Sequence, residues 1–239
     1  MSLRDRVVPR VLPWVRDRSA AVVHRGWYLV RWAGAIGPRD RLGRRFSSFG
    51  EASILAFPPG DVFGEEHIAI GPGTMVAPHV SLSVGMAPGQ PLPPGATSPV
   101  LRIGARCSIG RGNHLVAHRS LVIGDDVISG PNCYLTDQNH AYGDPTVPIG
   151  QQWPAEDPVV VGDGSWLGAG CVLLPGSRLG RNTVVAAGAV VRGEFPDHAV
   201  LVGIPARMVR RWTPEEGWQP ELRDLQIEPP ADWPTRANR

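Results

Sequence analysis

The sequence contains no lysine: its 24 basic side chains are all arginine. We read that as the mark of a high-GC genome, without chemical meaning. A formal net charge of +2, with only 19% charged residues, excludes a nucleic-acid binder. The three cysteines, Cys107, Cys133 and Cys171, include no Cys-x-x-Cys pair, which excludes a disulfide framework and a zinc knuckle. No apolar run is long enough to span a bilayer, because even 20–36 is interrupted by His24, Arg25 and Arg31. The uninterrupted apolar core of a signal peptide is also missing, so the expectation is a soluble, cytoplasmic protein. Neither a Walker motif nor a Gly-x-Gly-x-x-Gly stands in a strand-to-helix context, which leaves nucleotide transfer and hydride chemistry without support.

Glycine and proline are abundant instead. The 29 Gly and 25 Pro make up more than a fifth of 239 residues, too many for a mostly helical protein. With 42% hydrophobic residues, enough apolar material remains to build a core. Charge is unevenly placed. Residues 1–45 hold 11 arginines against Asp5, Asp17 and Asp40, a net of +8, so the remainder carries −6.

The dominant signal is a period of six. From residue 161 an aliphatic side chain returns at Val161, Leu167, Leu173, Leu179, Val185 and Val191. Four places after each of the first five stands a small residue: Ser165, Cys171, Ser177, Thr183 and Ala189. The period recurs upstream at Ile103, Ile109 and Leu115, slips by two residues between Leu121 and Ile123, and has an earlier run at Ile70, Val76 and Leu82. Two stretches interrupt it, 85–100 and 141–158. Six fits neither the helical 3.6 nor a sustained strand alternation. It fits an all-β solenoid of short strands with one large and one small inward residue per face. All three cysteines fall at the small inward position, where they are spacers.

The units VGDGSW-LGAGCV-LLPGSR-LGRNTV-VAAGAV resemble the hexapeptide repeat of the left-handed parallel β-helix acyltransferases. The resemblance implies a left-handed β-helix over 61–205, with loop insertions 85–100 and 141–158. A basic, partly helical extension over 1–60 precedes it, and a short C-terminal helix with a Pro-rich tail occupies 206–239. It also implies a homotrimer, with acetyl-CoA or another acyl-CoA as co-substrate, no resident metal and no nucleic-acid partner. The stretch T-D-Q-N-H-A-Y-G-D-P-T-V-P-I-G-Q-Q-W is similar to the catalytic segment of the galactoside, maltose and xenobiotic O-acetyltransferase branch. That likeness makes His140 the general base toward a hydroxyl of a sugar, glycan or glycosylated metabolite. Imidazole, with an ordinary pKa of about 6.5, suits proton abstraction near neutrality.

Asp137 and Asn139 are candidates to orient that ring, and solvated turn roles are equally open to them. Asn113, His118, Asp144 and Trp153 are candidates for the acceptor pocket. The donor side follows from further likenesses. Trp166-Leu167-Gly168-Ala169 is similar to the segment lying along the pantetheine arm, with a backbone N–H of Gly168 or Ala169 as oxyanion donor. Ala187, Arg192, Arg207 and Arg210 match residues on the coenzyme A groove and phosphates, a task suited to arginine. Two other readings remain open at this level: a zinc lyase of the β-helix carbonic anhydrase type using His114 and His118, and a binding scaffold without catalysis. For the apolar, Arg-flanked segment 19–36, a helix capping the solenoid or packing on a partner is the leading expectation. A peripheral contact with an anionic membrane is the lesser one.

Overall fold

A computed structural model describes residues 3–220 of the chain, the side chains of residues 3–12 and 14 excepted. The six-residue period sets the architecture. Leu101–Ile103 belongs to one sheet (I), Ser108–Ile109 to a second (II) and His114–Ala117 to a third (III). The next strand, Leu121–Ile123, returns to sheet I and pairs in parallel with Leu101–Ile103. Among the described residues the rotation builds seven strands in sheet I, seven in sheet II and six in sheet III, and an antiparallel ribbon adds two more strands to sheet II. In the C-terminal run the paired residues lie three hexads apart, as in Val160↔Arg178, Trp166↔Val184 and Val172↔Val190.

The inward positions are those the period marks. Val161, Leu167, Leu173, Leu179, Val185 and Val191 are buried, as are Ser165, Cys171, Ser177, Thr183 and Ala189 beneath them. Burial raises the pKa of the Cys107 thiol, in keeping with a spacer role. Turning a corner every few residues demands left-handed backbone, supplied three places after each aliphatic residue by Gly164, Gly170, Gly176, Asn182 and Gly188. Gly168 answers a different demand. A Cβ there would stand 2.5 Å from the Ala187 nitrogen on the adjoining strand connection. Because each level contacts only its neighbours, a cavity in the column has no second layer to relax into. Leu173→Ala should therefore cost about 2–5 kcal/mol, read as a lowered denaturation midpoint in urea at unchanged slope.

Parallel pairing begins at Ser48–Phe49 on Ile68–Ile70 and at Ile54–Leu55 on Met75–Val76, ahead of the expected start at 61. Only Leu55 in that stretch is fully buried, so the period is faint there. The N-terminal helix runs Leu3–Gly34, longer than the expected segment from 19. It continues back through Pro9 and Pro13, whose missing N–H and ring clash argue against helix in a sequence. It does not lie across the sheets as a cap: Val22, Val23, Tyr28, Leu29 and Trp32 are all exposed. Its junction with the body is at its end, where Ile36 bridges Leu55 and Gly34 abuts the Phe57 ring.

Where a C-terminal helix was expected after 206, the chain instead forms an antiparallel ribbon. Arg207–Thr213 pairs with Ala199–Val202, and Gly217–Gln219 returns on it, with Trp212 opposite Trp218. A turn at 214–216, followed by Gly217 at φ 67°, favours a hairpin over a continued helix. The helix expected around 220–226, and Trp233, fall in 221–239, outside the described residues.

Candidate active site

Both insertions leave the sheets at the same corner, the one from sheet III to sheet I. Residues 85–100 connect Ser81–Val84 to Leu101–Ile103, and 137–158 connect Tyr134–Thr136 to Val159–Val161. Between these two levels, the same corner is made by His118, Arg119 and Ser120. These residues account for the two-residue slip in the period: strands on either side pair at a separation of 20, as in Leu121↔Leu101.

Asp137 holds this corner. Its carboxylate accepts the backbone N–H of His118 at 2.8 Å, of Arg119 at 2.7 Å and of Ser120 at 2.6 Å, and the residue is wholly buried. Asp137 is thus committed to backbone donors, not to the His140 ring, because three N–H groups splayed at one corner need a buried acceptor. His118 is 1% exposed. Its Nδ1 lies 2.5 Å from Glu156 Oε1, so the ring donates from Nδ1 to the carboxylate. Its Nε2 is buried with no hydrogen-bond partner. The Trp153 indole stands against the imidazole, centroids 6.0 Å apart. Glu156 reaches this position because Ala155–Glu156 pairs antiparallel with Gln138–Asn139, in register Gln138↔Glu156.

His140 directly follows that short ribbon, exposed and with no hydrogen bond to its ring. Asn139 is exposed and paired with Ala155 through its backbone. Asp144 is exposed. It accepts the Thr146 hydroxyl at 2.6 Å and N–H at 2.9 Å, a local turn that lowers its pKa. Gln152 binds the excursion together by donating to the carbonyls of Asp144 and Val147. Asn113 is interior: its amide donates to Ser129 Oγ at 2.6 Å and accepts the Cys133 N–H at 2.8 Å, which leaves nothing for an acceptor. His114 is exposed on its strand while His118 is buried, so the two do not form a metal pair. Among the described residues no group of three His, Cys, Asp or Glu side chains is arranged to hold a metal.

The donor candidates gather on sheet II and on its corner with sheet III. A register ladder runs Trp166, Val184, Val200 and Arg210 across adjoining strands. Three interstrand steps separate Trp166 from Arg210, about 14 Å. Arg207 and Arg210 are an odd number of residues apart, yet they oppose Val202 and Val200 respectively. The irregularity between Val200 and Leu201 brings both arginines to the same face.

At the corner from sheet I to sheet II, the N–H after the turn is capped by aspartate: Ala105 by Asp125, Asp125 by Asp163 and Arg181 by Asp197. At the corner from sheet II to sheet III no such caps stand, and the N–H groups of Ala169 and Ala187 make no hydrogen bond. Gly168 drops out as an oxyanion donor because its N–H is given to the Val185 carbonyl at 2.7 Å. Arg192 follows Val190–Val191 at the III-to-I corner, and Ala206, which precedes Arg207, gives its N–H to the Val190 carbonyl at 2.8 Å.

Sequence reading missed Glu156, since nothing periodic links it to His118 across 38 positions. It missed the aspartate caps too, although Asp125, Asp163 and Asp197 each stand two places after a buried or half-buried hydrophobic residue, at Ile123, Val161 and Phe195.

Comparison with known proteins agrees with this picture. The family model "Bacterial transferase hexapeptide (six repeats)" matches residues 158–193. A probable acetyltransferase of Mycobacterium tuberculosis is 37% identical over 46% of this chain and 37% of its own length. A putative lipopolysaccharide biosynthesis O-acetyl transferase of Escherichia coli is 31% identical over 43% and 56%. The galactoside O-acetyltransferase of Lactococcus lactis is 33% identical over 41% and 46%. The chain thus spans from over a third to just over half of these relatives' lengths. Among solved structures, a mutant of the Bacillus cereus N-acyltransferase AntD superposes with a TM-score of 0.59 at 16% identity, over 74% of this chain and 90% of that one. Residues 158–193 carry the hexapeptide repeat of bacterial transferases, and about two fifths of the chain is similar to acetyltransferases built on it.

Proposed function

We propose that the protein is a coenzyme A-dependent O-acyltransferase that moves an acetyl group to a hydroxyl of a sugar, glycan or glycosylated metabolite. The observation that carries this reading is the pair of free N–H groups at Ala169 and Ala187, beside a ladder from Trp166 to Arg210. An extended pantetheine arm is of the same order of length as that ladder. Its amides would meet the free Ala187 N–H, and its phosphates would meet Arg207 and Arg210. The relatives support the reaction class: two of those above are named as O-acetyltransferases, and AntD was crystallised with coenzyme A.

In the proposed reaction the acceptor hydroxyl oxygen attacks the thioester carbonyl while His140 takes its proton. The Ala169 N–H steadies the oxyanion. The C–S bond then breaks, and the imidazolium returns the proton to the departing sulfur. His118, fixed through Nδ1 by Glu156, would meet the acceptor through its buried Nε2 on displacement of the exposed Trp153 indole that stands against the ring.

A second reading gives His118 the role of base, because a carboxylate-oriented imidazole with a free Nε2 is the arrangement a base requires. We further infer that the three sheets close into a left-handed solenoid and that three copies associate, as in the resembled family.

Calorimetric titration with coenzyme A and acetyl-CoA tests the donor site. Binding in the micromolar range is expected, weakened at least tenfold in Arg207→Ala/Arg210→Ala. No heat at millimolar ligand would end the acyltransferase reading.

A further inference from the structure

The helix Leu3–Gly34 is not explained by acyl transfer. Its large apolar side chains face solvent: Val22 is 71% exposed, Leu29 61% and Trp32 74%, with Val15, Val23, Trp27, Tyr28 and Val30 also exposed. At 100° per residue, Val15, Val22 and Leu29 form one stripe, being seven apart. Val23 and Val30 flank it on one side, and on the other Trp32 stands beyond Arg18 and Arg25. Asp17, His24 and Arg31, also seven apart, form the opposite face. Trp27 and Tyr28 stand at the two borders between apolar and polar arcs, where amphipathic rings favour a boundary between water and hydrocarbon.

The helix carries seven arginines against two aspartates, a net of +5, while the rest of the chain beyond residue 45 is net −6. No helix among the described residues is long and apolar enough to cross a membrane. A second copy of the helix is a poor partner for this face. Arg18 and Arg25 share a stripe with Trp32 directly beside Val15, Val22 and Leu29, so helix pairing would bring like charges together. At a bilayer surface the same arginines can extend up to lipid phosphates while their stems cover apolar surface.

From these observations we propose that the N-terminal helix lies in the plane of an anionic membrane surface, with its apolar arc in the acyl boundary and its arginines on the headgroups. The net-negative body is then repelled from the surface to which the helix is drawn, which orients the molecule with its sheets away from the bilayer. The proposal is independent of the reaction the sheets support.

The test uses the full chain and sedimentation with vesicles. The protein should pellet with phosphatidylcholine–phosphatidylglycerol vesicles at low salt and remain largely soluble with pure phosphatidylcholine. Raising salt to about 0.5 M should lower the partition coefficient roughly tenfold, as screening shortens the reach of the arginines. Val22→Glu/Leu29→Glu should lower it at least about tenfold by removing two apolar anchors. Both positions stand clear of the sheets, and an unchanged thermal transition would show that the fold is intact. Failure to pellet with anionic vesicles, or equal pelleting by the folded double variant, would overturn the proposal. So would a drop in native mass on double substitution in a protein that binds no vesicle, which would make the helix a contact between copies or with another protein.

Discussion

Exchanging His140 for alanine should lower kcat by about 10²–10⁴-fold while leaving the heat of acetyl-CoA binding unchanged. The reason is chemical. A hydroxyl cannot attack a thioester at a useful rate while it keeps its proton, and His140 is the exposed imidazole that directly follows the short ribbon Gln138–Asn139 and Ala155–Glu156. Coenzyme A would bind elsewhere, along sheet II, so the loss should fall on the chemical step alone. His118→Ala and Glu156→Gln then separate the two readings of the corner. If His118 only holds the acceptor, both changes raise the acceptor KM more than they lower kcat. If His118 is the base, both lower kcat, His118→Ala by the larger factor, and His140→Ala leaves most of the rate. Full activity in His140→Ala would therefore move the chemistry to the buried imidazole.

The parts of the fold legible in the sequence are those where one residue type repeats at a fixed interval. Val161 through Val191 are aliphatic at every sixth position because each level of the sheets repeats the same inward geometry. The cysteines were legible for the same reason. Legibility failed where a residue's partner lies on another level. Asp137 reads as part of a loop motif, yet its function in the structure is set by three N–H groups 17 to 19 positions earlier. Asn113 reads as a polar residue near a turn, but its position four places after Ile109 is the small inward site, and there its amide is consumed.

Arg207 and Arg210 show the opposite failure. Their motif is legible in the sequence, but the element is a strand where a helix is expected, and only the irregular register of that antiparallel strand brings the two side chains to one face. The family likeness points to the corner at Gly168 and Ala169, but which of the two N–H groups is free is not legible in the sequence. Whether a backbone donor is free depends on whether the next level offers an aspartate, as at Asp125, or an alanine, as at Ala187.

The second large effect concerns stability and activity together. Asp137→Ala should destabilise the protein by about 2–5 kcal/mol, because the buried N–H of His118 and the part-buried N–H groups of Arg119 and Ser120 lose their acceptor, and an unmet buried donor costs about 1–3 kcal/mol, not additively. Water can enter part of the vacated volume, which keeps the loss below the simple sum. Asp137→Asn tests the electrostatics at nearly constant volume. Its amide can accept at one atom only, and its NH₂ would face the N–H of Arg119 or His118, donor against donor. It should therefore recover little of the lost stability, although it fills the site. Both substitutions free the backbone that aims His118 at Glu156, so acceptor KM should rise even where the protein remains folded. Urea unfolding gives the stability and steady-state kinetics give the KM. A variant with wild-type midpoint and wild-type acceptor KM would show that this corner is held by the ribbon Gln138–Asn139 and Ala155–Glu156 instead of by the buried carboxylate.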